Sequence, residues 1–440
     1  MDRLNPKANF EIKSFGCKVN TYDAGLLEGR LQADPFLETS KDKIYIYNTC
    51  AVTGEATKET VREIRRLKKN EPNAKIVVTG CGAQVDTAVY DSTPEIDLIV
   101  ANSHKGKLEE IVQDFFSGAT LERTHKSNIF RKEDLEAGGG IETHHTRSFL
   151  KIQDGCNSFC SYCVIPFARG TSRSTTIADI VQRINDLSQQ GMQEVVLTGI
   201  HIGDYEDKDL RLVDLVEHVL QKTNIPRIRL TSLEPKELSP RLLKLYANER
   251  LCAHFHMSIQ SAESKILSEM KRNYTAQDVV DSLKNISECV PNAFVGMDVI
   301  VGFPGESEVE FLETFTRLEK SPWTKIHVFP YSIRPGTKAS RIEGHLPQIE
   351  IQRRADVLRK LSLERYSTEA LKQVGHYKKV LPLNHKKLVM GLSRDYWKVQ
   401  LTSAPSGPQE INVKIIGYDH SQFAKAEGLL VGEIVSTNSH

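Results

Sequence analysis

The chain has 440 residues, 39% of them hydrophobic and 26% charged, with a formal net charge of +1. This composition is typical of a globular protein, and the length predicts about three domains. No apolar run approaches the roughly 20 residues that cross a bilayer, and residues 1–16 lack the apolar core of a secretory signal. We therefore expect a cytoplasmic protein without membrane contact, in which structural disulfides are rare.

The first part of the chain predicts a small doubly wound α/β domain. Apolar runs at residues 44–48 and 75–80 are typical of buried parallel strands. Residues 55–69 carry apolar side chains at helical spacing, with lysines and arginines on the other faces. We assign this domain to residues 8–120.

The next two segments predict a linker and a parallel barrel. Residues 121–145 contain charged stretches and three consecutive glycines without steady periodicity, which indicates a linker. Six apolar runs then alternate with helical patterns, at residues 149–153, 194–199, 227–232, 254–260, 295–302 and 325–332. Six such units indicate a partial, TIM-like (β/α)6 barrel within residues 146–372. A long polar helix is predicted near its end, at about residues 348–372.

The last segment, residues 373–440, changes to short alternating strands separated by turn signals. This pattern is typical of a small all-β barrel. The predicted fold class is therefore α/β with a C-terminal all-β domain.

Three cysteines, Cys156, Cys160 and Cys163, follow the first predicted barrel strand in one short loop. Barrels of this type carry their active sites at the carboxyl ends of the strands. Three thiolates can hold an iron–sulfur cube that normally has four cysteine ligands, which leaves one iron open. Structural zinc is the alternative, but a zinc loop usually has a fourth ligand. The spacing therefore predicts an iron–sulfur cluster.

Three further cysteines, Cys17, Cys50 and Cys81, each follow a predicted strand of the first domain. The carboxyl ends of parallel strands gather at one edge of an open sheet. For any one of these cysteines alone, a small buried side chain is the favoured interpretation. Together, in a reducing compartment, the three predict a second metal cluster.

The loop of Cys156, Cys160 and Cys163 resembles that of the radical S-adenosylmethionine superfamily. Within that superfamily, the motifs FGCKVN at residues 15–20, NTCAV at 48–52 and TGCGAQ at 79–84 resemble those of the methylthiotransferases. The resemblance implies S-adenosyl-L-methionine and two 4Fe-4S clusters as cofactors, with one cluster on each cysteine set. It also implies that the loop cluster starts radical chemistry and that the other cluster supplies sulfur.

The resemblance further implies a set of cofactor-binding residues. Tyr162 is expected beside the adenine, and later strand ends are expected to complete the pocket with Gly199, Ile200, Ser232, Glu234 and Asp298. Such residues are also common in ordinary turns. Two departures from the family pattern are Asp23-Ala24-Gly25 and Ala262-Glu263-Ser264. An alanine in place of glycine removes backbone freedom, which places the local pocket geometry in question.

The C-terminal segment resembles the TRAM domain, a small RNA-binding barrel. Cationic and aromatic side chains that suit phosphates and unpaired bases are Arg394, Tyr396, Trp397 and Lys398. The motif HVFPYS at residues 327–332 is most similar to the branch that modifies N6-threonylcarbamoyladenosine beside the tRNA anticodon. Arg334 is a candidate contact for the threonyl carboxylate. The expected partners are a tRNA anticodon stem-loop and an electron donor such as flavodoxin or ferredoxin.

Three alternatives remain open at this point. The same reaction on N6-isopentenyladenosine is the closest one. Methylthiolation of a ribosomal-protein aspartate is the second, and a zinc-holding RNA-binding module without catalysis is the third.

Overall fold

The computed structural model describes residues 9–32, 42–131, 147–383, 388–420 and 427–435. Among the helices described, none combines the length and the apolar character that a membrane span requires. The chain divides into two compact units. The first unit is Met1–Glu142, Phe149–Thr175 and Ser332–Ser340, and the second is Thr143–Ser148, Thr176–Tyr331 and Arg341–His440.

The first unit contains a five-stranded sheet in the order β1-β2-β3-β4-β5, with every neighbouring pair parallel. Its strands are β1 (Phe10–Ser14), β2 (Ile44–Thr49), β3 (Lys75–Gly80), β4 (Leu98–Ala101) and β5 (Thr124–His125). Its helices are α1 (Lys18–Leu31), α2 (Gly54–Asn70), α3 (Cys81–Val85), α4 (Thr87–Asp91), α5 (Leu108–Ser117) and α6 (Ile165–Arg169). Residues 132–146, which include most of the predicted linker, lie outside the described residues.

Both faces of this sheet are buried, which explains the continuous apolar runs of its strands. On one face, Tyr45 and Ile76 pack in a cluster with Ile64 of α2. On the other face, Ile46 and Val77 share a cluster with helices α1 and α5. Helices therefore cover both faces, and the predicted doubly wound domain is confirmed.

The cysteine loop of the first unit connects two short strands. After β6 (Arg147–Lys151), it begins at β7 (Gln153–Asp154) and ends at β8 (Arg173–Ser174). The antiparallel pairing of β7 with β8 brings the two ends of the segment 154–173 together. The cysteines therefore lie in a closed loop with helix α6 inside it.

The second unit begins with alternating strands and helices. Its strands before the last domain are β9 (Glu194–Thr198), β10 (Glu206–Asp207), β11 (Leu210–Arg211), β12 (Arg227–Leu230), β13 (His254–Gln260), β14 (Phe294–Val301) and β15 (Lys325–Pro330). Its helices are α7 (Ile177–Gln189), α8 (Leu212–Lys222), α9 (Pro240–Leu245), α10 (Ser264–Glu269), α11 (Ala276–Cys289), α12 (Glu308–Lys320) and α13 (Gln348–Leu371). Strand β9 pairs in parallel with β12, and β13, β14 and β15 form a second parallel group. The six predicted barrel strands are therefore all present within one or two residues of their predicted bounds.

The C-terminal domain is a closed five-stranded barrel in the order β16-β17-β18-β20-β19. Its strands are β16 (Tyr377–Leu383), β17 (Met390–Ser393), β18 (Lys398–Leu401), β19 (Ile411–Asp419) and β20 (Leu429–Ile434). Its core includes Trp397, and it also packs against Tyr366 of α13 and Phe294 of β14. The predicted all-β barrel is confirmed, and apolar contacts join it to the rest of the second unit.

A buried ionic group also holds this barrel in place. Glu194 is fully buried and accepts hydrogen bonds from Arg227 and Arg229 at 2.7–3.1 Å. The same two guanidinium groups donate to backbone carbonyl oxygens of Leu392 and Ser393. The end of β17 and the turn that follows it are therefore held in place by these contacts.

Candidate functional site

The sheet of the first unit brings Cys17, Cys50 and Cys81, here called the scattered set, to one edge. Cys17 precedes α1, Cys50 follows β2, and Cys81 opens α3 directly after β3. Strands β1, β2 and β3 are adjacent, parallel and in register, so the segments that follow them leave the sheet at the same edge. A methyl group added to Gly16 would lie 2.6 Å from the Cys50 sulfur, which shows how closely these segments pass.

The scattered set has the donor chemistry that an iron–sulfur cluster requires. Cys50 and Cys81 are buried, whereas Cys17 is exposed. Burial raises the pKa of Cys50 to about 11, with the backbone N–H of Val52 opposing the shift from 3.5 Å. Burial also raises the pKa of Cys81, and the Arg169 guanidinium opposes it. Cys50 and Cys81, whose burial opposes thiolate formation without a nearby cation, both receive N–H groups at sulfur, and this combination fits a metal cluster.

A network of buried charges lies beside Cys81. Arg169 contacts Asp154 and Asp23, and the Lys151 ammonium bridges the same two carboxylates at 2.8 and 2.9 Å. Burial alone would raise the pKa of Asp23, but the surrounding cations outweigh it and hold that pKa well below its usual range. The pKa of Asp154 is lowered in the same way. Both carboxylates are therefore ionised, and the network stays charged within the protein interior.

Cys156, Cys160 and Cys163, here called the loop set, are more accessible, and each has intermediate exposure. The backbone N–H of Ser158 lies 3.5 Å from the Cys156 sulfur, and that of Ile165 lies 3.4 Å from the Cys163 sulfur. Backbone N–H groups aimed at sulfur stabilise thiolate ligands. The loop set therefore also fits a cluster, and its partial exposure leaves room for a further ligand.

Two backbone positions set the shape of this loop. Gly155 has a φ of +71°, and an added Cβ there would lie 2.0 Å from the carbonyl oxygen of Thr171. Phe159 takes the left-handed region with a φ of 45°, which is rare for an aromatic residue. The loop thus turns sharply between its first two cysteines. Tyr162, the expected adenine contact, lies in the same loop with intermediate exposure.

Arg334 lies in the part of the first unit that follows β15. Its side chain is 4% exposed, and its Nη2 donates to both carboxylate oxygens of Asp86 at 2.7 and 2.8 Å. Nearby, the N–H of Ala339 donates to the carbonyl oxygen of Ser161 at 2.7 Å. The segment thus borders the cysteine loop, but the Arg334 guanidinium is already bound to a carboxylate of the protein.

In the second unit, the strand-end residues Ser232 and Glu234 adopt specialised local structures. Ser232 has a left-handed φ of 54°. Glu234 is 8% exposed, and an oxygen of its carboxylate lies 2.5 Å from the Arg272 guanidinium and 3.4 Å from His201. Burial raises the pKa of Glu234, although Arg272 opposes the shift. Sequence reasoning missed Arg272 and His201, because only the fold places them beside Glu234. Gly199 and Ile200 directly follow β9.

Asp298 lies on β14 between two histidines. Its Oδ1 is 3.2 Å from Nε2 of His256 on β13, and it is paired in register with His327 on β15. Burial lowers the pKa of His327 to about 4, so its imidazole is neutral near pH 7. Successive side chains of a strand point to opposite faces of the sheet. These three residues have intermediate exposure, whereas Phe255 and Met257, on either side of His256, are buried. Asp298 is thus placed among polar side chains of one partly open sheet face.

The departure at Ala262 leaves the local backbone intact. Ala262 is not among the described residues with positive φ, whereas Gln260 two residues earlier has a φ of 63°. Glu263 accepts the N–H groups of Lys265 and Ile266 and so caps α10. An alanine is therefore compatible with this turn, because the left-handed position lies elsewhere.

The four residues expected to bind RNA have different environments. Lys398 is exposed, whereas Arg394 is half-buried with its guanidinium on the Glu410 carboxylate at 2.6–3.1 Å. The Tyr396 ring stacks on His254 with 3.9 Å between centroids. Trp397 is 2% exposed and belongs to the barrel core, so in this structure it offers no face to a base. A single sequence cannot separate a core tryptophan from a stacking one beside a short strand.

Comparison with known proteins places these features in a family. Residues 150–318 match the model of the radical SAM superfamily, and residues 9–101 match that of the uncharacterized protein family UPF0004. The chain is 36% identical over 388 residues to threonylcarbamoyladenosine tRNA methylthiotransferase MtaB of Aquifex aeolicus (strain VF5), covering 86% of this chain and 93% of that protein. It is 30% identical over 443 residues to tRNA-2-methylthio-N(6)-dimethylallyladenosine synthase of Thermodesulfovibrio yellowstonii, covering 97% and 98%.

Among solved structures, the chain is similar to the radical S-adenosylmethionine methyltransferase TsrM of Kitasatospora setae, with cobalamin and a 4Fe-4S cluster bound. The TM-score is 0.49 at 16% identity, over 67% of this chain and 66% of that chain.

The matched region and the fold define the class as that of radical S-adenosylmethionine enzymes. Within it, this chain belongs to the methylthiotransferase family. It is accordingly a transferase that uses S-adenosyl-L-methionine and 4Fe-4S clusters. The expectations for fold class, family, enzyme class and cofactors are confirmed.

Proposed function

We propose that this chain attaches a methylthio group to C2 of N6-threonylcarbamoyladenosine in tRNA, beside the anticodon, giving 2-methylthio-N6-threonylcarbamoyladenosine. The observation that carries the proposal is its 36% identity across 93% of a relative named for this reaction. The relative named for dimethylallyladenosine, which carries the isopentenyl group, is less similar at 30% identity. That second substrate is therefore the runner-up.

In this proposal each cysteine set holds one 4Fe-4S cluster. When bound, the cluster on the loop set supplies the electron that splits S-adenosylmethionine, and the cluster on Cys17, Cys50 and Cys81 supplies sulfur. The protein's own contribution is to hold the thiolates at fixed positions. Backbone N–H groups at Cys50, Cys156 and Cys163 support this role from 3.4–3.5 Å.

The remaining residues bind and orient the cofactor and the base. We assign S-adenosylmethionine to Tyr162 and to the strand-end residues Gly199, Ile200, Ser232, Glu234 and Asp298. The neutral imidazole of His327 beside Asp298 suits a ligand that both donates and accepts hydrogen bonds. Arg334 can bind a threonyl carboxylate only if it first releases Asp86, its present partner.

We further propose that the C-terminal barrel binds the anticodon stem-loop mainly through phosphate contacts. Lys398 is exposed and Arg394 is half-buried, and both carry the charge that such contacts need. Tyr396 contributes an aromatic edge, and Trp397 supports the fold from within. The assigned domain bounds are 8–120, 121–145, 146–372 and 373–440. A flavodoxin or ferredoxin is the proposed electron donor, and the cytoplasm is the proposed location because tRNA is the substrate.

The test is a reaction with two matched tRNA substrates. Anaerobically reconstituted protein receives S-adenosylmethionine, a reductant and tRNA that carries either N6-threonylcarbamoyladenosine or N6-isopentenyladenosine. We expect methylthiolated nucleoside from the first tRNA, with 5′-deoxyadenosine formed in step, as measured by mass spectrometry. Modification of only the isopentenylated tRNA would select the runner-up. A methylthiolated ribosomal-protein aspartate, with neither tRNA modified, would contradict the RNA assignment.

A further inference from the structure

One arginine connects the two cysteine sets through the protein interior. Arg169 ends helix α6, six residues after Cys163 of the loop set, and it is 3% exposed. Its Nε lies 3.1 Å from the sulfur of Cys81 in the scattered set. The segment that carries one set thus delivers a cation to the other.

The remaining N–H groups of Arg169 are held in place on both sides. Its Nη1 donates to the two carboxylate oxygens of Asp154 at 3.0 and 3.1 Å. Its Nη2 donates to Asn20 at 2.7 Å and to Asp23 at 2.9 Å. A guanidinium is planar and rigid, so these contacts also fix the direction of the Nε–H toward sulfur.

The helix that carries this arginine is itself pinned near Cys81. Ala168 and Val164 form a small buried cluster with Ala51 and Cys81. The main chain of Arg169 therefore cannot retreat from the thiol without breaking an apolar contact. The N–H to sulfur contact is a built feature of the fold.

Such a contact has a specific consequence for an iron–sulfur cluster. Hydrogen bonds to the ligating sulfurs and nearby charge set the reduction potential of the cluster. A buried cation that donates to a thiolate withdraws negative charge and stabilises the reduced, more negative state more than the oxidised one. Its removal should lower the potential.

We propose that Arg169 is a positioning residue that raises the reduction potential of the cluster on Cys17, Cys50 and Cys81. The inference rests on the proposed function, because it requires the scattered set to hold a cluster. It goes further in giving a residue outside the six cysteines control over the redox behaviour of that cluster.

A purely structural role for Arg169 predicts a different outcome. In that case the arginine would act only by stabilising neighbouring protein groups, such as those that Arg173 contacts: Asp154 at 3.1 Å from its Nη2 and the carbonyl oxygen of Arg169 at 2.8 Å from its Nη1. Arg173 is therefore the matched control, since it is a cation of the same network. Arg169→Lys keeps the charge but loses the rigid Nε–H, and Arg169→Gln loses the charge as well.

The experiment uses the full chain with Cys156, Cys160 and Cys163 all changed to alanine, so that only the scattered set can hold a cluster. The readouts are iron content and the midpoint potential from an EPR-monitored redox titration. We expect Arg169→Gln to shift the potential to more negative values and Arg169→Lys to shift it less in the same direction. Arg173→Gln should retain the parent potential within error.

Three results would overturn the inference. The first is an unchanged potential in both Arg169 variants, and the second is an equal shift in Arg173→Gln. The third is loss of iron from both Arg169 variants, since it would make the arginine a structural requirement only. A parent that binds no iron would refute the proposed function as well, whereas a parent with iron and unshifted variants would refute this inference alone.

Discussion

The two cysteine sets of the first unit bring three thiols together in opposite ways. The loop set lies within eight residues, is partly exposed and is shaped by its own turn. The scattered set spans residues 17–81, has two buried members and exists only because three adjacent strands end at one edge. The loop set depends on local backbone geometry, and the scattered set depends on the whole sheet.

The difference in burial matches the difference in task that we propose. A cluster with an iron open to a cofactor requires access, which the loop set has. In the scattered set two of the three thiols are buried beside a charged network, and we infer that neighbours such as Arg169 set the properties of its cluster. Variants of the two sets should therefore fail in different ways.

The largest expected difference is in the products. Changing Cys160 to alanine should reduce 5′-deoxyadenosine formation at least about a hundredfold, because in our proposal the loop cluster provides the electron. Cys50→Ala should retain deoxyadenosine formation within about threefold but make no methylthiolated nucleoside. Mass spectrometry of both products measures this difference. Equal loss of deoxyadenosine in the two variants would show that the sets do not have separate tasks.

The next prediction concerns the charged network beside the scattered set. Asp154→Asn removes the negative charge that three contacting cations share. It should destabilise the first unit by about 3–5 kcal/mol, because those cations lose a buried counter-charge. Hydrogen exchange of the β2 and β3 amides measures this free energy of opening. Glu55→Gln, at an exposed ion pair with Arg62 in the same unit, is the control and should cost less than about 1 kcal/mol.

The sign of the pH dependence follows from the lowered pKa of Asp154 in the folded chain. Its stabilisation is present above the ordinary carboxyl pKa of 3.8 and is lost as pH falls through the lower folded value. The advantage of the parent over Asp154→Asn should therefore be full at pH 7 and should shrink below that ordinary pKa. An advantage that grows on acidification would contradict the assignment.

Two glycines allow each cysteine set to be disturbed separately, with a smaller effect. Gly16 has a φ of +98° beside Cys50, and Gly155 has a φ of +71° beside Thr171. Alanine at either position should cost about 1–3 kcal/mol of local strain. We expect Gly16→Ala to lose iron from the scattered set only and Gly155→Ala from the loop set only. Gly29→Ala, which meets nothing within 4 Å, is the control. Iron loss from both sets in either variant would argue against their independence.

The smallest expected effect lies away from both sets. Lys398→Ala should weaken tRNA binding about two- to threefold. It should also reduce the slope of log affinity against log salt concentration by about one, as expected for the loss of one phosphate contact. Its iron content should equal that of the parent. Lys360, on α13 with 78% exposure of its side chain, is the control for a general loss of charge. Equal weakening by Lys360→Ala would refute a specific role for Lys398.

The sequence is informative where structure is local or periodic. Strand β13 has the predicted bounds of residues 254–260, and helix α13 ends one residue before its predicted end. The cysteine loop can be predicted for the same reason, since its three cysteines lie close together in the sequence. A common site for Cys17, Cys50 and Cys81 can be predicted only indirectly. Each follows a predicted strand, and the carboxyl ends of parallel strands share one edge of the sheet.

Contacts between distant segments could not be predicted in this way. Arg169 meets Cys81 across 88 residues of sequence, and no periodic pattern connects the two. Likewise, nothing in the sequence indicates that Arg334 pairs with Asp86, which lies 248 residues away. Trp397 was assigned to RNA from its type and neighbours, whereas the closed barrel directs it into the core. These features depend on which faces meet after folding.

The iron and sulfide content of anaerobically purified cysteine variants tests the central claim most directly. With two independent 4Fe-4S clusters, the full chain should hold about eight irons, each triple-alanine variant about four, and the sextuple variant almost none. Zinc in place of iron, or loss of all iron from either triple variant, would contradict two separate cluster sites.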